Sequence, residues 1–205
     1  MSNEKSLWFY GNIYRILFDP SQQEGREVIN DMIPREASVL DVGCGTGKMA
    51  TMLRESKQCK VVGLDLSSKM INFAQNINRY SDVLFQQGDA TNLSDYKNKG
   101  FDYAISCKMI HELSPNTGQQ VIKELCKVGQ RVIVFDYMVP LPGSFTSIII
   151  KAIESTFGRD HLENFKAYLE SGGLIGTIHR AGVEAKIYRQ IAVKSGCEQI
   201  VVLEP

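Results

Sequence analysis

The fold of this 205-residue chain is decided by the stretch Val39-Leu-Asp-Val-Gly-Cys-Gly-Thr-Gly-Lys48. Val39 to Val42 is an apolar, β-branched run of the kind that forms a buried parallel strand. Three glycines follow at alternate positions, and apolar residues then resume at helical spacing from Met49. A strand, a glycine-rich turn and a helix N-terminus predict a site for the polar end of a ligand. Glycine allows close approach, and free N–H groups with the helix dipole favour an anion.

Two nucleotide-binding patterns with a similar turn do not match this stretch. The dinucleotide fingerprint needs a third glycine three positions after the second, where this chain has Lys48. The phosphate-loop pattern needs a glycine at position 42 and Ser or Thr at position 49, which are Val42 and Met49 here. What remains is an acidic residue that ends the strand, followed by Gly-x-Gly-x-Gly. A purely structural turn between strand and helix is the alternative interpretation.

The segment Leu40 to Gly47 resembles the first motif of the class I S-adenosylmethionine-dependent methyltransferases. The resemblance implies that S-adenosylmethionine is the methyl donor and that no metal is required. It also implies that Asp41, Gly43 and Gly45 position the methionine end of the donor, with Cys44 in the same binding loop.

A second apolar run, from Lys60 to Asp65, also ends in a carboxylate. In doubly wound sheets ligands lie outside the carboxyl ends of the strands, so Asp65 is expected to face the same crevice as the glycines. Its two oxygens can accept from both hydroxyls of a ribose, and Leu66 supplies apolar surface beside the adenine. The alternative for Asp65 is a helix N-cap, although Ser67 is available for that role.

Two further segments extend the resemblance. In the family, an acidic residue after the third strand accepts from the adenine amino group, and the next backbone N–H donates to the ring. The matching residues are Asp89 and Ala90, although Gly-Asp alone is also an ordinary turn. The segment Gly100 to Leu113 resembles the fourth family motif, in which the backbone around Ser106 and Cys107 faces the methionine part of the donor.

His111 follows this strand by four residues and is predicted at the mouth of the crevice. It is the candidate general base, because an unperturbed pKa of about 6.5 suits proton removal at neutral pH. The alternative is that His111 only orients the substrate or packs. Lys108 is predicted to be solvated, and His161 and His179 are predicted to be exposed helix residues.

Two segments outside the core are candidates for contact with an acceptor. Leu7 to Phe18 is an aromatic-rich helix whose Tyr10/Tyr14 face predicts a lid, with a packing helix as the alternative. Ser21 and Glu24 form a capping box for the next helix. Phe145 to Ile153 is a strongly apolar helix, interpreted as a cap element, or alternatively as a wall for an apolar or aromatic acceptor or a surface that dips into a membrane.

The order of elements predicts an α/β fold. Strands near residues 38, 60, 83, 101 and 131 alternate with helices, which calls for a doubly wound, mostly parallel sheet with helices on both faces. The expected sheet has seven strands, is Rossmann-like, and finishes in a hairpin with an antiparallel last strand. The whole chain 1–205 is predicted to be a single methyltransferase domain, divided into an N-terminal helical cap (1–34), a donor-binding core (36–137), a helical insertion (138–182) and a terminal hairpin (183–205).

The composition limits the classes of partner that are expected for this protein. Twenty-three basic and twenty-three acidic residues cancel, and the absence of a basic cluster argues against a nucleic-acid substrate. No apolar stretch approaches the ~20 residues of a membrane span, and no secretory signal is evident, so a cytoplasmic location is expected.

The function predicted is methyl transfer from S-adenosylmethionine to a small-molecule acceptor by in-line displacement. A looser resemblance, in Ile13 to Phe18 and Asn164 to Val183, is to the quinone and phospholipid methyltransferases. The alternatives are a non-catalytic S-adenosylmethionine-binding accessory protein and a nucleotide-dependent oxidoreductase. The acceptor atom and the oligomeric state do not follow from the sequence.

Overall fold

The computed structural model describes residues 22–143, 145–193 and 196–205. The predicted lid residues Tyr10 and Tyr14, and Ser21 of the predicted capping box, lie outside these residues. The first described helix begins at Gln23, and its N-cap residue Gln22 makes no side-chain cap hydrogen bond.

Seven strands form one sheet in the order β3-β2-β1-β4-β5-β7-β6. Their bounds are β1 Ser38–Val42, β2 Lys60–Asp65, β3 Leu84–Gln87, β4 Phe101–Cys107, β5 Gly129–Tyr137, β6 Lys186–Ala192 and β7 Glu198–Glu204. The pairs among β1 to β5 are parallel, whereas β7 runs antiparallel to both β5 and β6. The predicted seven-stranded sheet, with its reversed last strand, is therefore confirmed.

Seven α-helices connect the strands of the described chain. They are α1 Gln23–Met32, α2 Lys48–Lys57, α3 Ser68–Ile77, α4 Pro115–Val128, α5 Phe145–Glu154, α6 Arg159–Glu170 and α7 Gly173–Ala181. Short 3₁₀ turns cover Ser94–Tyr96, Ile110–Glu112 and Ser155–Phe157. None of the described helices is long and apolar enough to cross a membrane.

The central strands are covered on both faces, as their continuous apolar sequence predicts. In β1, Val39 belongs to one buried cluster with residues of α1, α2 and α3, whereas its neighbour Leu40 belongs to a second cluster with residues of α4, α6 and α7. Successive side chains of a strand point to opposite faces, so this alternation places three helices on each side. The carboxyl ends of β1 to β4 are left open at one edge.

Gly129 is the C-cap residue of α4, as its place after the helical pattern predicts, and its N–H donates to the carbonyl of Leu125. Its backbone is extended (φ −105°, ψ 140°) rather than left-handed, because Gly129 is also the first residue of β5. A Cβ atom here would lie 2.6 Å from the backbone nitrogen of Ala104 in β4. The physical reason for glycine is thus the close approach of two strands rather than a left-handed helix end.

Candidate active site

A crevice of about 570 Å³ lies outside the carboxyl ends of the parallel strands. This is the position at which open α/β sheets bind their ligands. Its volume falls in the range of small-molecule sites. The lining residues come from the loops after four strands and from α4: Gly43 and Gly45; Leu64 to Met70; Gln87 to Thr91; Cys107 to Met109, Glu112 and Leu113; Thr117 and Val121.

The glycine loop is shaped by close packing against the loop after β4. Gly43 has a φ of +75°, and a Cβ atom at this position would collide with the side chain of Met109. Glycine therefore serves two purposes here, since it adopts the left-handed backbone and leaves space for the methionine. The close packing of Gly43 against Met109 therefore sets the shape of the crevice at this point.

Four N–H groups of the glycine loop already have acceptors within the protein. Gly43 and Cys44 both donate to the carbonyl of Leu64, at 2.8 and 3.0 Å, and Gly47 donates to Cys44 at 2.9 Å. The N–H of Gly45 donates to Asp65 Oδ2 at 2.9 Å. These four groups are therefore not free for an anion, and anion binding by the rest of the loop stays a prediction.

Asp41 occupies the helix N-terminus that an anionic ligand would otherwise use. Its side chain is buried, and its carboxylate accepts from the backbone N–H of Ala50 in the first turn of α2. Burial raises the pKa of Asp41 to about 7, against the opposing effect of Arg26. Within the described chain its Oδ2 atom has no hydrogen-bond partner. Asp41 therefore lies behind the loop as an unsatisfied carboxylate rather than lining the crevice.

Asp65 lies in the crevice, as predicted. Its Oδ1 accepts from the N–H of Ser67 at 2.8 Å, and its Oδ2 accepts from Gly45. Burial raises its pKa, while these two N–H donors oppose the shift. The N-cap of α3 is Ser67, whose Oγ accepts from Met70 at 3.3 Å, so the helix-cap alternative for Asp65 does not hold. Each carboxylate oxygen keeps acceptor capacity for a ligand hydroxyl.

The residues predicted for the adenine also line the crevice. Leu66 is 70% exposed there, which is unusual for leucine and leaves an apolar surface available. Asp89 Oδ1 accepts from the N–H and the hydroxyl of Thr91, both at 2.8 Å, and these bonds lower its pKa. Within the described residues the second carboxylate oxygen of Asp89 accepts no such bond. Asp89 can therefore stabilise the turn and bind a ligand at the same time. Ala90 lies beside it.

The two cysteines predicted to contact the donor lie in different surroundings in the structure. Cys107 lines the crevice at the end of β4, and burial raises the pKa of its thiol, which keeps it protonated. Cys44 does not line the crevice; it is buried in the core, with its Sγ close to Gly63. The side chain of Cys44 therefore does not face the crevice and its N–H already has an acceptor, so its part in donor binding stays a prediction.

The position predicted for His111 was also wrong. Its side chain is 4% exposed and is absent from the crevice lining, since the 3₁₀ turn Ile110–Glu112 directs it inward. There His111 Nδ1 lies 2.6 Å from Asp136 Oδ1, and the backbone N–H of His111 donates to Asp136 Oδ2 at 3.1 Å. The role of His111 as a general base stays a prediction, without direct access to the crevice.

Glu112 takes the place at the crevice that the sequence assigned to its neighbour. Its side chain is 21% exposed and lines the crevice. Burial raises its pKa well above the usual value, and the nearby carboxylates of Glu154 and Asp136 raise it further. The only sequence signal for Glu112 was its position next to His111. The 3₁₀ turn at Ile110–Glu112 points the side chain of Glu112 into the crevice and that of His111 into the core.

Two other side chains differ from their predicted exposure. Lys108 is buried, lies over the ring of Tyr137 and has its Nζ 3.1 Å from Glu198 Oε1, so it is not solvated. His161 is 9% exposed and has its Nε2 2.5 Å from Glu154 Oε2. His179 is exposed, as predicted. Both errors arise from partners distant in sequence, which local patterns do not reveal.

Comparisons with known proteins agree with this geometry. Residues 39–131 match the family model described as a methyltransferase domain. The chain is 30% identical over 154 residues to the O-methyltransferase cnsE of Penicillium expansum, covering 66% of this chain and 54% of that protein. Residues 39–131 therefore form a methyltransferase domain of the class I S-adenosylmethionine-dependent type, as the sequence predicts.

Solved structures support the same fold for this methyltransferase. A protein of Pyrococcus horikoshii OT3 superposes with a TM-score of 0.71 at 22% identity, covering 95% of this chain and 98% of that one. A SAM-dependent methyltransferase of Aquifex aeolicus gives 0.66 at 19% identity, with 94% and 97% covered. By contrast, the methyltransferase spans about half the length of cnsE.

The methyltransferase crevice contains residues that sequence reasoning missed. Met70, Met109, Thr117 and Val121 line it beside Glu112. The spacing of these residues in the sequence is the same as that of ordinary core residues. The pattern alone therefore does not distinguish a core residue from one at the edge of a crevice. Only the arrangement of α3 and α4 around the strand ends shows the difference.

Proposed function

We propose that this protein transfers a methyl group from S-adenosylmethionine to a small-molecule acceptor in the crevice beside β1 to β4. The donor supplies an electrophilic methyl group on a sulfonium, so the chain's own task is to bind, orient and exclude water. The observation that carries the proposal is the arrangement of acidic groups around the crevice, with the helix N-terminus already occupied by Asp41.

This arrangement favours a cationic ligand over a dinucleotide. The pyrophosphate of a dinucleotide is bound by free N–H groups at a helix N-terminus. Here the loop N–H groups bond to Leu64, Cys44 and Asp65, and the carboxylate of Asp41 accepts from α2. A second anion at that place would meet a buried carboxylate. The sulfonium and ammonium groups of S-adenosylmethionine are instead attracted by it. This supports the methyltransferase function over the oxidoreductase alternative.

The acceptor is proposed from the relatives and from the lining of the crevice. The relative cnsE is an O-methyltransferase, and we extend a hydroxyl-bearing small molecule to this chain as the acceptor class. Leu113, Met109 and Val121 give one side of the crevice an apolar surface, which suits an apolar or aromatic carrier. An exposed apolar surface also runs along α5, where Ile148 is 64% exposed. Whether α5 contacts the acceptor or a membrane stays a prediction.

Five residues of the crevice, and Asp41 behind it, have proposed roles in this reaction. Asp65 holds the ribose hydroxyls, Leu66 covers the adenine, and Asp89 with Ala90 recognises its edge. Asp41 provides negative potential behind the methionine end. Glu112 is the titratable side chain best placed to accept a proton from the acceptor hydroxyl, because it lines the crevice and its pKa is raised.

Calorimetric titration with S-adenosylmethionine and S-adenosylhomocysteine tests the donor site. We expect micromolar binding to the full chain, weakened by about 1–3 kcal/mol in Asp65→Ala because a buried polar site loses its partner. Asp82→Ala is the matched control, since Asp82 is exposed and pairs with Arg54 away from the crevice. Absence of binding to the folded wild type, with binding of a nicotinamide dinucleotide instead, would contradict the proposal.

A turnover assay distinguishes an enzyme from a non-catalytic accessory protein that only binds S-adenosylmethionine. The wild type is incubated with the donor and a panel of phenols, hydroxy acids and amines, and S-adenosylhomocysteine release is followed. Release that depends on a hydroxyl acceptor supports the proposed function. Tight donor binding with no release on any acceptor would favour the non-catalytic alternative.

A further inference from the structure

Three side chains beneath the crevice form a cluster that the methyl-transfer proposal does not use. His111 lies in the turn after β4, Glu154 is the last residue of α5, and His161 is in the first turn of α6. One ligand atom from each lies within 4.8 Å of the other two. All three side chains are less than 10% exposed. Two imidazoles and one carboxylate converge on a single buried point.

The ligand atoms face one another. His111 Nε2 lies 3.8 Å from Glu154 Oε2 and 3.9 Å from Glu112 Oε1, so in the described chain it has no hydrogen bond. His161 Nε2 lies 2.5 Å from the same Glu154 oxygen. Divalent transition-metal ions bind imidazole nitrogen and carboxylate oxygen at about 2.0–2.2 Å, which places tetrahedral ligand atoms about 3.3 Å apart. Shifts of roughly an ångström in the side chains therefore produce the required geometry.

The residues around the cluster are arranged as in metal sites. Metal-binding histidines commonly donate their other ring N–H to a carboxylate, which fixes the tautomer and orients the ring. Asp136 is buried and its Oδ1 lies 2.6 Å from His111 Nδ1, which leaves Nε2 as the lone-pair donor. Glu154 is also held, because Tyr137 donates its hydroxyl to Oε1 at 2.7 Å. Oε2 remains for the ion.

The charges lead to the same conclusion. Asp136 and Glu154 are both buried beside His111. The buried cation Lys108 is 3.1 Å from a third carboxylate, Glu198. Two negative charges therefore face two imidazoles in a low-dielectric region. A divalent cation bound at this point would balance the two negative charges.

We propose that His111, Glu154 and His161 bind one divalent transition-metal ion, with zinc as the best fit to two nitrogens and one oxygen. The ion joins the insertion, through α5 and α6, to the end of β4. Glu112 lies on the open side, between the ion and the crevice. The site does not depend on methyl transfer, so its test uses metal binding rather than activity.

The full chain, free of any histidine tag, is stripped with a chelator and titrated with Co²⁺, whose visible absorption reports the ligand geometry. We expect one equivalent to give the intense d–d bands of a four- or five-coordinate nitrogen–oxygen site, and one equivalent of Zn²⁺ to abolish them. In His161→Gln and Glu154→Gln the bands are expected to disappear. His179→Gln is the matched control, because His179 is an exposed helix histidine, and it should bind as the wild type does.

Thermal unfolding with and without Zn²⁺ provides a second readout. The wild type and His179→Gln should show a raised Tm with zinc, whereas His161→Gln should show no shift. A far-ultraviolet circular dichroism spectrum that matches the wild type shows that each variant has folded. The proposal is overturned if the wild type takes up less than one equivalent, or if folded His161→Gln binds Co²⁺ with an unchanged spectrum. A failed donor titration would leave these outcomes unaffected.

Discussion

The carboxylate of Asp65 accepts a hydrogen bond from the backbone N–H of Gly45 at 2.9 Å, joining the glycine loop to the end of the neighbouring strand. The same carboxylate accepts from Ser67 at the start of α3. One side chain thus holds three segments that line the crevice in position. A residue predicted for ligand binding alone also shapes the site, so its substitutions should change stability as well as affinity.

Substitution of Asp65 should separate these two effects. Asp65→Ala leaves the N–H groups of Gly45 and Ser67 without their acceptor, and we expect a loss of about 1–3 kcal/mol in the free energy of unfolding. Asp65→Asn retains one acceptor oxygen and should lose less. Urea unfolding measures both, with the exposed Asp82→Asn as the control. Equal stability of Asp65→Ala and wild type would show that the bond to Gly45 contributes nothing.

The buried Asp41 should make the free protein less stable as the pH rises. Its pKa is raised to about 7 in the folded state, so between the unfolded value and pH 7 the folded protein binds more protons. Stability is then lost as the pH rises through the folded pKa. From pH 6 to pH 8 the loss is about 1.4 kcal/mol, because the folded protein binds on average half a proton more than the unfolded chain over these two pH units.

Asp41→Asn isolates this contribution. The amide can still accept from Ala50 but does not titrate, so the decline in urea-unfolding free energy between pH 6 and pH 8 should be smaller in the variant by that amount. Parallel curves for the variant and the wild type would mean that Asp41 is not the titrating group.

Glu112→Gln should lower kcat without changing donor affinity. General acid–base catalysis contributes about 10²–10⁴-fold, and we expect a loss at the lower end of that range with a hydroxyl acceptor. Because the pKa of Glu112 is raised, the wild-type rate should climb with pH as this carboxyl loses its proton. The variant should lack this rise. Glu184→Gln, at an exposed position, serves as the control. A wild-type pH profile in Glu112→Gln would exclude its role as the base.

Gly129→Ala should destabilise the sheet. The added Cβ would lie 2.6 Å from the backbone nitrogen of Ala104, so β4 and β5 would have to separate. Overpacking of this kind costs about 1–3 kcal/mol. Gly143→Ala is the matched control, because a Cβ there meets nothing within 4 Å. Thermal unfolding of both variants measures the difference, and similar Tm values would contradict the close-approach argument.

The architecture follows from the sequence because its signals are local. Buried strands such as Lys60–Asp65 and Phe101–Cys107 were predicted at their observed bounds, since apolar β-branched runs end at turns. Asp65 and Leu66 were predicted because they stand at the end of a parallel strand, whereas Asp89 and Ala90 were predicted from the family resemblance. Their shared edge of the sheet brings them together.

The errors share a different physical cause. His111, Lys108 and His161 find partners between 7 and 90 residues away, in Asp136, Glu198 and Glu154. These contacts depend on how the turn after β4 packs against β5 and β7, and on how α6 packs against α5, which no sequence periodicity records. The N–H groups of Gly43 and Cys44 are a similar case, because their acceptor, Leu64, belongs to the next strand.

The crevice is lined by residues between Gly43 and Val121, and the helical insertion contributes no residue to that lining within the described chain. The family model covers nearly the same interval, from 39 to 131. The crevice and the matched domain thus occupy the same continuous part of the chain. The insertion can therefore change in length or sequence without removing any side chain that lines the crevice.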